Sequence, residues 1–113
     1  MARRISWIKA ALQAFQVFPA AVQEQMTTAL RIAARGEKAD KAKPMKGLGT
    51  GVFEIALAYR GNAYRAIYAV QLGEDVWVVH AFQKKSIQGI KTPKREIDLI
   101  RARLKRLQEM LHE

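Results

Sequence analysis

Between Val52 and Phe82 the apolar residues come in short runs broken by two turn sequences, and on either side of that block their spacing lengthens to three and four. Val52 to Tyr59 alternates Phe53, Ile55, Leu57 and Tyr59 with Val52, Glu54, Ala56 and Ala58, the period of a strand. Arg60-Gly61-Asn62 is turn chemistry, and Ala63 to Leu72 is rich in the aromatic and β-branched residues that fit a pleated surface. Gly73-Glu74-Asp75 forms a second turn. Val76 to Phe82 is apolar almost throughout, which predicts a central strand or one covered on both faces. Turns this short imply an antiparallel meander.

Outside the meander the pattern is helical. Arg3 to Trp7 reads as a short strand and Ile8 to Phe15 as a short helix, with Ser6 available to cap it. Pro19 disfavours helical geometry at Phe18 and can itself open a second helix, Ala20 to Arg35, in which Val22, Met26, Leu30 and Ala33 recur at helical spacing and Gly36 is the stop. Gly36 to Gly51 has no apolar period. It carries Lys38, Lys41, Lys43 and Lys46 and reads as an exposed basic loop anchored by Met45 and Leu48. Gln83 to Lys91 is a polar, basic loop. Thr92 as N-cap and Pro93 in the first turn open a last helix, along which Ile97, Ile100, Leu104, Leu107 and Leu111 form one apolar stripe, with Arg101, Arg103, Lys105 and Arg106 mostly off it. The expected architecture is α+β: a small antiparallel sheet of three to four strands, two N-terminal helices and one C-terminal helix, in a single domain over residues 1–113.

Charge narrows the functional classes. Twenty Lys and Arg against ten Asp and Glu leave a net charge of +10 on 113 residues. Such an imbalance costs self-repulsion in the compact state, and nucleic acid is the commonest polyanion that offsets it; an acidic protein or an anionic membrane surface would answer the charge as well. There are no cysteines, which excludes disulfides, zinc–thiolate sites and a cysteine nucleophile. No run approaches the ~18 apolar residues of a membrane span, and Lys9 interrupts the segment after the charged N-terminus, so neither a signal peptide nor a membrane partner is expected. The expected location is the cytoplasm.

Few residues remain that can do chemistry. The only histidines, His80 and His112, have no ligand partner at metal spacing. The serines, Ser6 and Ser86, sit in no nucleophile motif. In Lys46-Gly47-Leu48-Gly49-Thr50-Gly51 the lysine precedes the glycines and a strand follows, the reverse of a phosphate loop. What is left is a set of cations. Alternation places Arg65 on the face of Ile67, opposite Tyr64 and Tyr68. It either pairs with Glu54 in the neighbouring strand or faces an open side of the sheet and holds a phosphate with its planar fork. Lys84-Lys85, directly after the third strand, is either a solvated turn or a rigidly placed phosphate contact. Alternation puts His80 on the face of Val78, where it either packs or touches substrate. Tyr64 and Tyr68 either stack on bases or fill the core.

Several stretches resemble the branch of the RelE/ParE toxin superfamily around HigB, a group that includes phage-derived toxin-like proteins. They are Lys43-Pro44-Met45-Lys46-Gly47-Leu48-Gly49, Gly51-Val52-Phe53-Glu54-Ile55, Tyr64-Arg65-Ala66-Ile67-Tyr68 and His80-Ala81-Phe82-Gln83-Lys84-Lys85-Ser86, in order over nearly the whole chain, with Thr92-Pro93-Lys94 before the last helix. The resemblance implies a small sheet with helices packed on one face. It also implies the toxin of a type II toxin–antitoxin pair, an mRNA endonuclease acting on the ribosome without a metal or cofactor, in which the RNA's 2′-OH attacks the adjacent phosphate. Its partners would be ribosome-bound mRNA and a cognate antitoxin, a small helix-turn-helix protein. Arg65 then matches the arginine that stabilises the pentavalent phosphate, and Lys84 and Lys85 match the basic residues after the next strand. Lys43, Lys46 and Arg60 are the candidate RNA contacts. The chain departs from the family pattern in lacking a C-terminal tyrosine or histidine other than His112, which leaves the proton-transfer group open among His80, Lys84 and Lys85. ParE-type relatives share the fold and inhibit DNA gyrase, so a gyrase inhibitor or a non-catalytic nucleic-acid-binding protein is the alternative.

Overall fold

The computed structural model describes residues 2–84 and 91–112. In chain order the elements are β1 (Ile5–Trp7), α1 (Lys9–Gln16), α2 (Ala20–Ala34), β2 (Ala42–Pro44), β3 (Val52–Tyr59), β4 (Asn62–Ala69), β5 (Val76–Lys84) and α3 (Lys94–Leu111). The strands form one five-stranded sheet in the order β1-β5-β4-β3-β2. The central meander is antiparallel as the alternation implies. Two short edge strands enlarge it beyond the expected three to four: β1 runs parallel to β5, and β2, inside the segment read as a loop, pairs antiparallel with β3. Tyr59 faces Asn62 across a two-residue turn in which Arg60 (φ 49°) and Gly61 (φ 81°) are both left-handed, the turn whose twist matches that of the strands.

The helices lie on both faces of the sheet, not on one. From α1 and α2, Ala11, Phe15, Val22, Met26 and Leu30 pack against Ile55, Leu57, Tyr64, Tyr68 and Val78. Ile100, Leu104 and Leu107 of α3 pack against the opposite face, on Val52, Ile67, Ala69 and Val79. The cause is visible in β4 and β5: both faces of these strands are apolar, so a single helical layer would leave Ile67 and Val79 in water. Met45 and Leu48 anchor their loop on the α3 side, as expected. Tyr64 and Tyr68 are core residues, against Phe18 and Phe53 respectively, and burial pushes the Tyr68 phenol up to about 12.

Both expected side-chain caps are absent, because each hydroxyl has a tertiary partner. Ser6 lies within β1 and donates to Asp75 Oδ2 at 2.6 Å; the residue capping α1 is Ile8. Pro93, not Thr92, is the N-cap of α3, and the Thr92 hydroxyl donates to Glu54 Oε2 instead.

Candidate functional site

The register of the sheet sorts the cations onto faces. Arg65 lies opposite Ala56 and Phe82, Glu54 opposite Ile67 and Lys43, and Lys84 opposite Ala63. Residues paired across an antiparallel ladder share a face, so Lys43, Glu54, Arg65, Phe82 and Lys84 all lie on the face that α3 covers.

A register shift between Ile67 and Tyr68 brings His80 to the same side. Val79 is the extra residue on β5. Val78 belongs to the core on the α1–α2 side and Val79 to the core under α3, while His80 pairs with Ile67. Strict alternation assigns His80 to the face of Val78; the bulge reverses it, as bulges re-aim side chains. His80 then stacks on Phe82 with ring centroids 5.3 Å apart.

Arg65 is 7 % exposed and ion-paired: Nη1 donates to Glu54 Oε1 at 2.9 Å and to Thr92 Oγ1 at 3.3 Å. The threonine hydroxyl therefore accepts from the arginine and donates to the carboxylate, closing a three-membered cluster under the start of α3. Of the two readings of Arg65, the ion pair with Glu54 is present and the face around it is not open. Among the described residues the buried Arg65 Nε has no hydrogen-bond partner, an arrangement that costs about 1–3 kcal/mol.

His80, 4 % exposed, is held between two residues of α3. Arg103 Nη1 donates to its Nδ1 at 2.8 Å and also to the Val79 carbonyl at 3.1 Å. An arginine can only donate, so Nδ1 is an acceptor and the ring proton sits on Nε2, which donates to Glu96 Oε1 at 2.9 Å. Burial pushes the imidazole below its ordinary range, the hydrogen bond to Glu96 pulls it back, and the Arg103 charge lowers it further. The ring is a neutral, doubly bonded imidazole with no free lone pair.

The remaining candidates are less enclosed. Lys84 is half-buried, and its Nζ donates to the Lys91 carbonyl at 3.4 Å. Lys43 is exposed on β2, Lys46 is exposed in the loop after it, and Arg60 stands at the β3–β4 hairpin tip with its guanidinium 5.2 Å from the centre of the Tyr59 ring. The structure thus brings Arg65, His80, Lys84 and Lys43 to one face and leaves Arg60 at the sheet's end. Lys85 lies outside the described residues. Among the described residues no three His, Asp or Glu side chains gather as a metal site would require.

Glu96, Arg103 and Thr92 are absent from the sequence-derived candidates. The first two carried a signal. Glu96, Ile100, Arg103 and Leu107 are spaced by four, three and four, a spacing that sets an acid and a base on the side of the apolar stripe; in the structure these two flank His80. Thr92 carried no such signal, because its hydroxyl reads equally well as a cap.

Residues 13–105 match the family model described as "Phage derived protein Gp49-like (DUF891)". No curated protein sequence matches the chain. Among solved structures, the fold resembles an arginine-to-alanine double mutant of the E. coli toxin RelE in the free state, with a TM-score of 0.64 at 18% identity over 94% of this chain and 98% of that one. It also resembles the isolated E. coli RelE toxin, with a TM-score of 0.58 at 19% identity over 89% of this chain and 98% of that one. The architecture is therefore RelE-like.

Proposed function

The chain belongs to the phage-derived Gp49-like family, and from that premise we propose that it is the toxin of a type II toxin–antitoxin pair, a metal-independent endonuclease of ribosome-bound mRNA. The observation that carries this reading is the array of cations on one face of a RelE-like sheet: Lys43, Arg65 and Lys84, with His80 turned toward them by the bulge. A net charge of +10 supplies the long-range attraction to RNA.

The chemistry assigned to these residues is an internal transfer. The ribose 2′-OH loses its proton and attacks the neighbouring phosphorus; the bond to the 5′-oxygen breaks, and that oxygen takes a proton. The products are a 2′,3′-cyclic phosphate and a 5′-hydroxyl. Arg65 stabilises the charge on the phosphorane, and its unpartnered Nε–H is a donor for a phosphate oxygen. A preorganised cation of this kind contributes about 3–4 kcal/mol. Lys84, Lys85 and His80 are the candidates for proton transfer. For RNA to reach Arg65, Thr92 must give way, because its hydroxyl occupies the guanidinium. For His80 to act, Arg103 must release Nδ1.

The burial of Arg65 and His80 favours a second reading, a binding protein without catalysis, such as an inhibitor of DNA gyrase. Induced expression in bacteria separates the two. A nuclease arrests growth and shortens ribosome-bound transcripts within minutes. Growth arrest with intact transcripts and broken chromosomal DNA supports the gyrase reading, and normal growth with abundant folded protein removes both.

A further inference from the structure

The helix that covers the candidate site leaves a second apolar surface unused. Beside α3, adjoining the stripe that packs on the sheet and sharing Leu107 with it, runs a groove of about 660 Å³. One wall is α3 itself, with Leu99 and Met110; the other is the junction of β1 and α1 at Trp7, and Trp77 of β5 also lines it. Leu99 is 39% and Met110 62% exposed, off the stripe that α3 buries. Large apolar side chains clustered in a concave, charge-rimmed surface mark an interaction site. Trp, Met and Arg are also the residue types enriched where proteins dock.

The rim is of one sign. Among the described residues, Lys9, Arg103 and Arg106 line the groove and no carboxylate does. A groove flanked by a helix and a sheet edge, apolar within and cationic at the rim, fits an amphipathic helix whose apolar side carries anchors at i, i+4 and i+7 and whose flanks carry carboxylates. A basic helix would meet repulsion from all three cations, and RNA offers no apolar face for Leu99 and Met110.

We propose that this groove is the docking site for an acidic amphipathic helix of the protein that neutralises this chain, an assignment of partner that rests on the toxin reading above. Arg103 ties the groove to the candidate catalytic face. Arg103 lines the groove and also donates to His80 Nδ1 and to the Val79 carbonyl. A helix seated against α3 therefore holds the element whose departure would uncover His80 and Arg65.

The test needs no knowledge of the partner. The chain has two tryptophans, and both line the groove, so intrinsic fluorescence reports its occupancy directly. The probe is a synthetic acidic amphipathic peptide of about four helical turns with leucines at i, i+4 and i+7; its control carries lysines in place of the glutamates. Saturable blue-shifting by the acidic peptide alone is expected. Leu99→Glu and Arg106→Glu, both on exposed positions of α3, should each weaken binding by about tenfold or more while leaving the circular dichroism melt intact. Equal binding of both peptides, or acidic-peptide binding indifferent to both substitutions, overturns the proposal. So does the absence of any saturable change, or a dimer in sedimentation that Leu99→Glu dissolves, which would assign the groove to a second copy. RNA cleavage is measured on the same preparations. Groove binding without cleavage leaves the docking site standing and removes the toxin reading; cleavage without groove binding does the reverse.

Discussion

Replacing Arg65 by alanine tests the ion pair seen in the structure and bears on the catalytic role proposed for the same residue. The guanidinium and Glu54 carboxylate have only 8% and 15% of their side chains exposed and meet at 2.9 Å. Removing one partner of such a pair strands the other charge, at a cost of about 3–5 kcal/mol. Two features reduce that here. Thr92 still donates to Glu54, which retains about 1 kcal/mol, and the unpartnered Nε disappears with the side chain. The expected net loss is about 2–4 kcal/mol. For a chain of 113 residues, an unfolding entropy of about 2.1 cal/mol/K per residue turns each kcal/mol into about 4 °C, hence a fall in Tm of about 8–16 °C. Glu54→Gln added to Arg65→Ala should recover part of it, since no buried charge is then left unpaired. The assay is thermal and urea unfolding of the wild type, both single variants and the double, read as a cycle. Strict additivity, or Tm for Arg65→Ala within about 2 °C of the wild type, would mean that the pair does not hold the site as described. Arg65→Lys keeps a charge beside Glu54 and separates stability from catalysis: it should fold, and cleavage should fall by about a hundredfold or more, because the planar fork is lost.

Three further outcomes follow from individual contacts. The depressed pKa of His80 means that the unfolded chain takes up a proton at a higher pH than the folded one. Stability should therefore decline as the pH falls below the ordinary histidine value of about 6.5, and His80→Gln should flatten that decline in urea titrations taken at several pH values. Arg60 occupies a left-handed position (φ 49°) next to Gly61, where Asn is the preferred residue; Arg60→Asn should raise stability by about 0.5–1 kcal/mol in denaturant melts while weakening RNA binding if Arg60 contacts phosphate. If Lys43, Lys46, Lys84 and Lys85 contact phosphates, RNA affinity measured by anisotropy should fall by about 0.7 log units per log unit of salt for each phosphate neutralised, and a flat dependence would assign the charge to another purpose.

The parts of the fold legible in the sequence are those governed by local spacing. The alternation of β3, the apolar runs of β4 and β5, and the three amphipathic helices all appear within a residue or a few of their observed limits. The apolar character of β5 on both faces correctly announced cover from both sides. The location of α3 was harder, because an apolar stripe says that a helix packs without saying on which face of a sheet. The resemblance pointed to one helical layer, whereas Ile67 and Val79 required a second. β1 and β2 are three residues each and exist only through pairing with β5 and β3, contacts that local pattern does not encode.

The candidate site divides in the same way. Arg65 and Glu54 lie on one face of the adjacent strands β4 and β3, so alternation offered their pairing as one of two readings, and the observed contact decides between them. The face of His80 was not readable from alternation, since a single inserted residue at Val79 moves it to the other side of the sheet. Thr92 illustrates a different limit. Its hydroxyl suits a helix cap and a buried carboxylate equally, and only the three-dimensional position of Glu54 decides between them.

The most direct test of the proposed chemistry is incubation of the purified chain with ribosomes carrying a defined mRNA, in the presence of a chelator of divalent ions once the complexes are formed, followed by mapping of both RNA ends at every cut. Discrete cuts that leave a 2′,3′-cyclic phosphate upstream and a 5′-hydroxyl downstream, and that vanish with folded Arg65→Lys, are expected. Intact mRNA with folded wild-type protein, cuts that require a divalent ion, or cuts that persist undiminished in Arg65→Lys would contradict the assignment of this face as a metal-independent nuclease site.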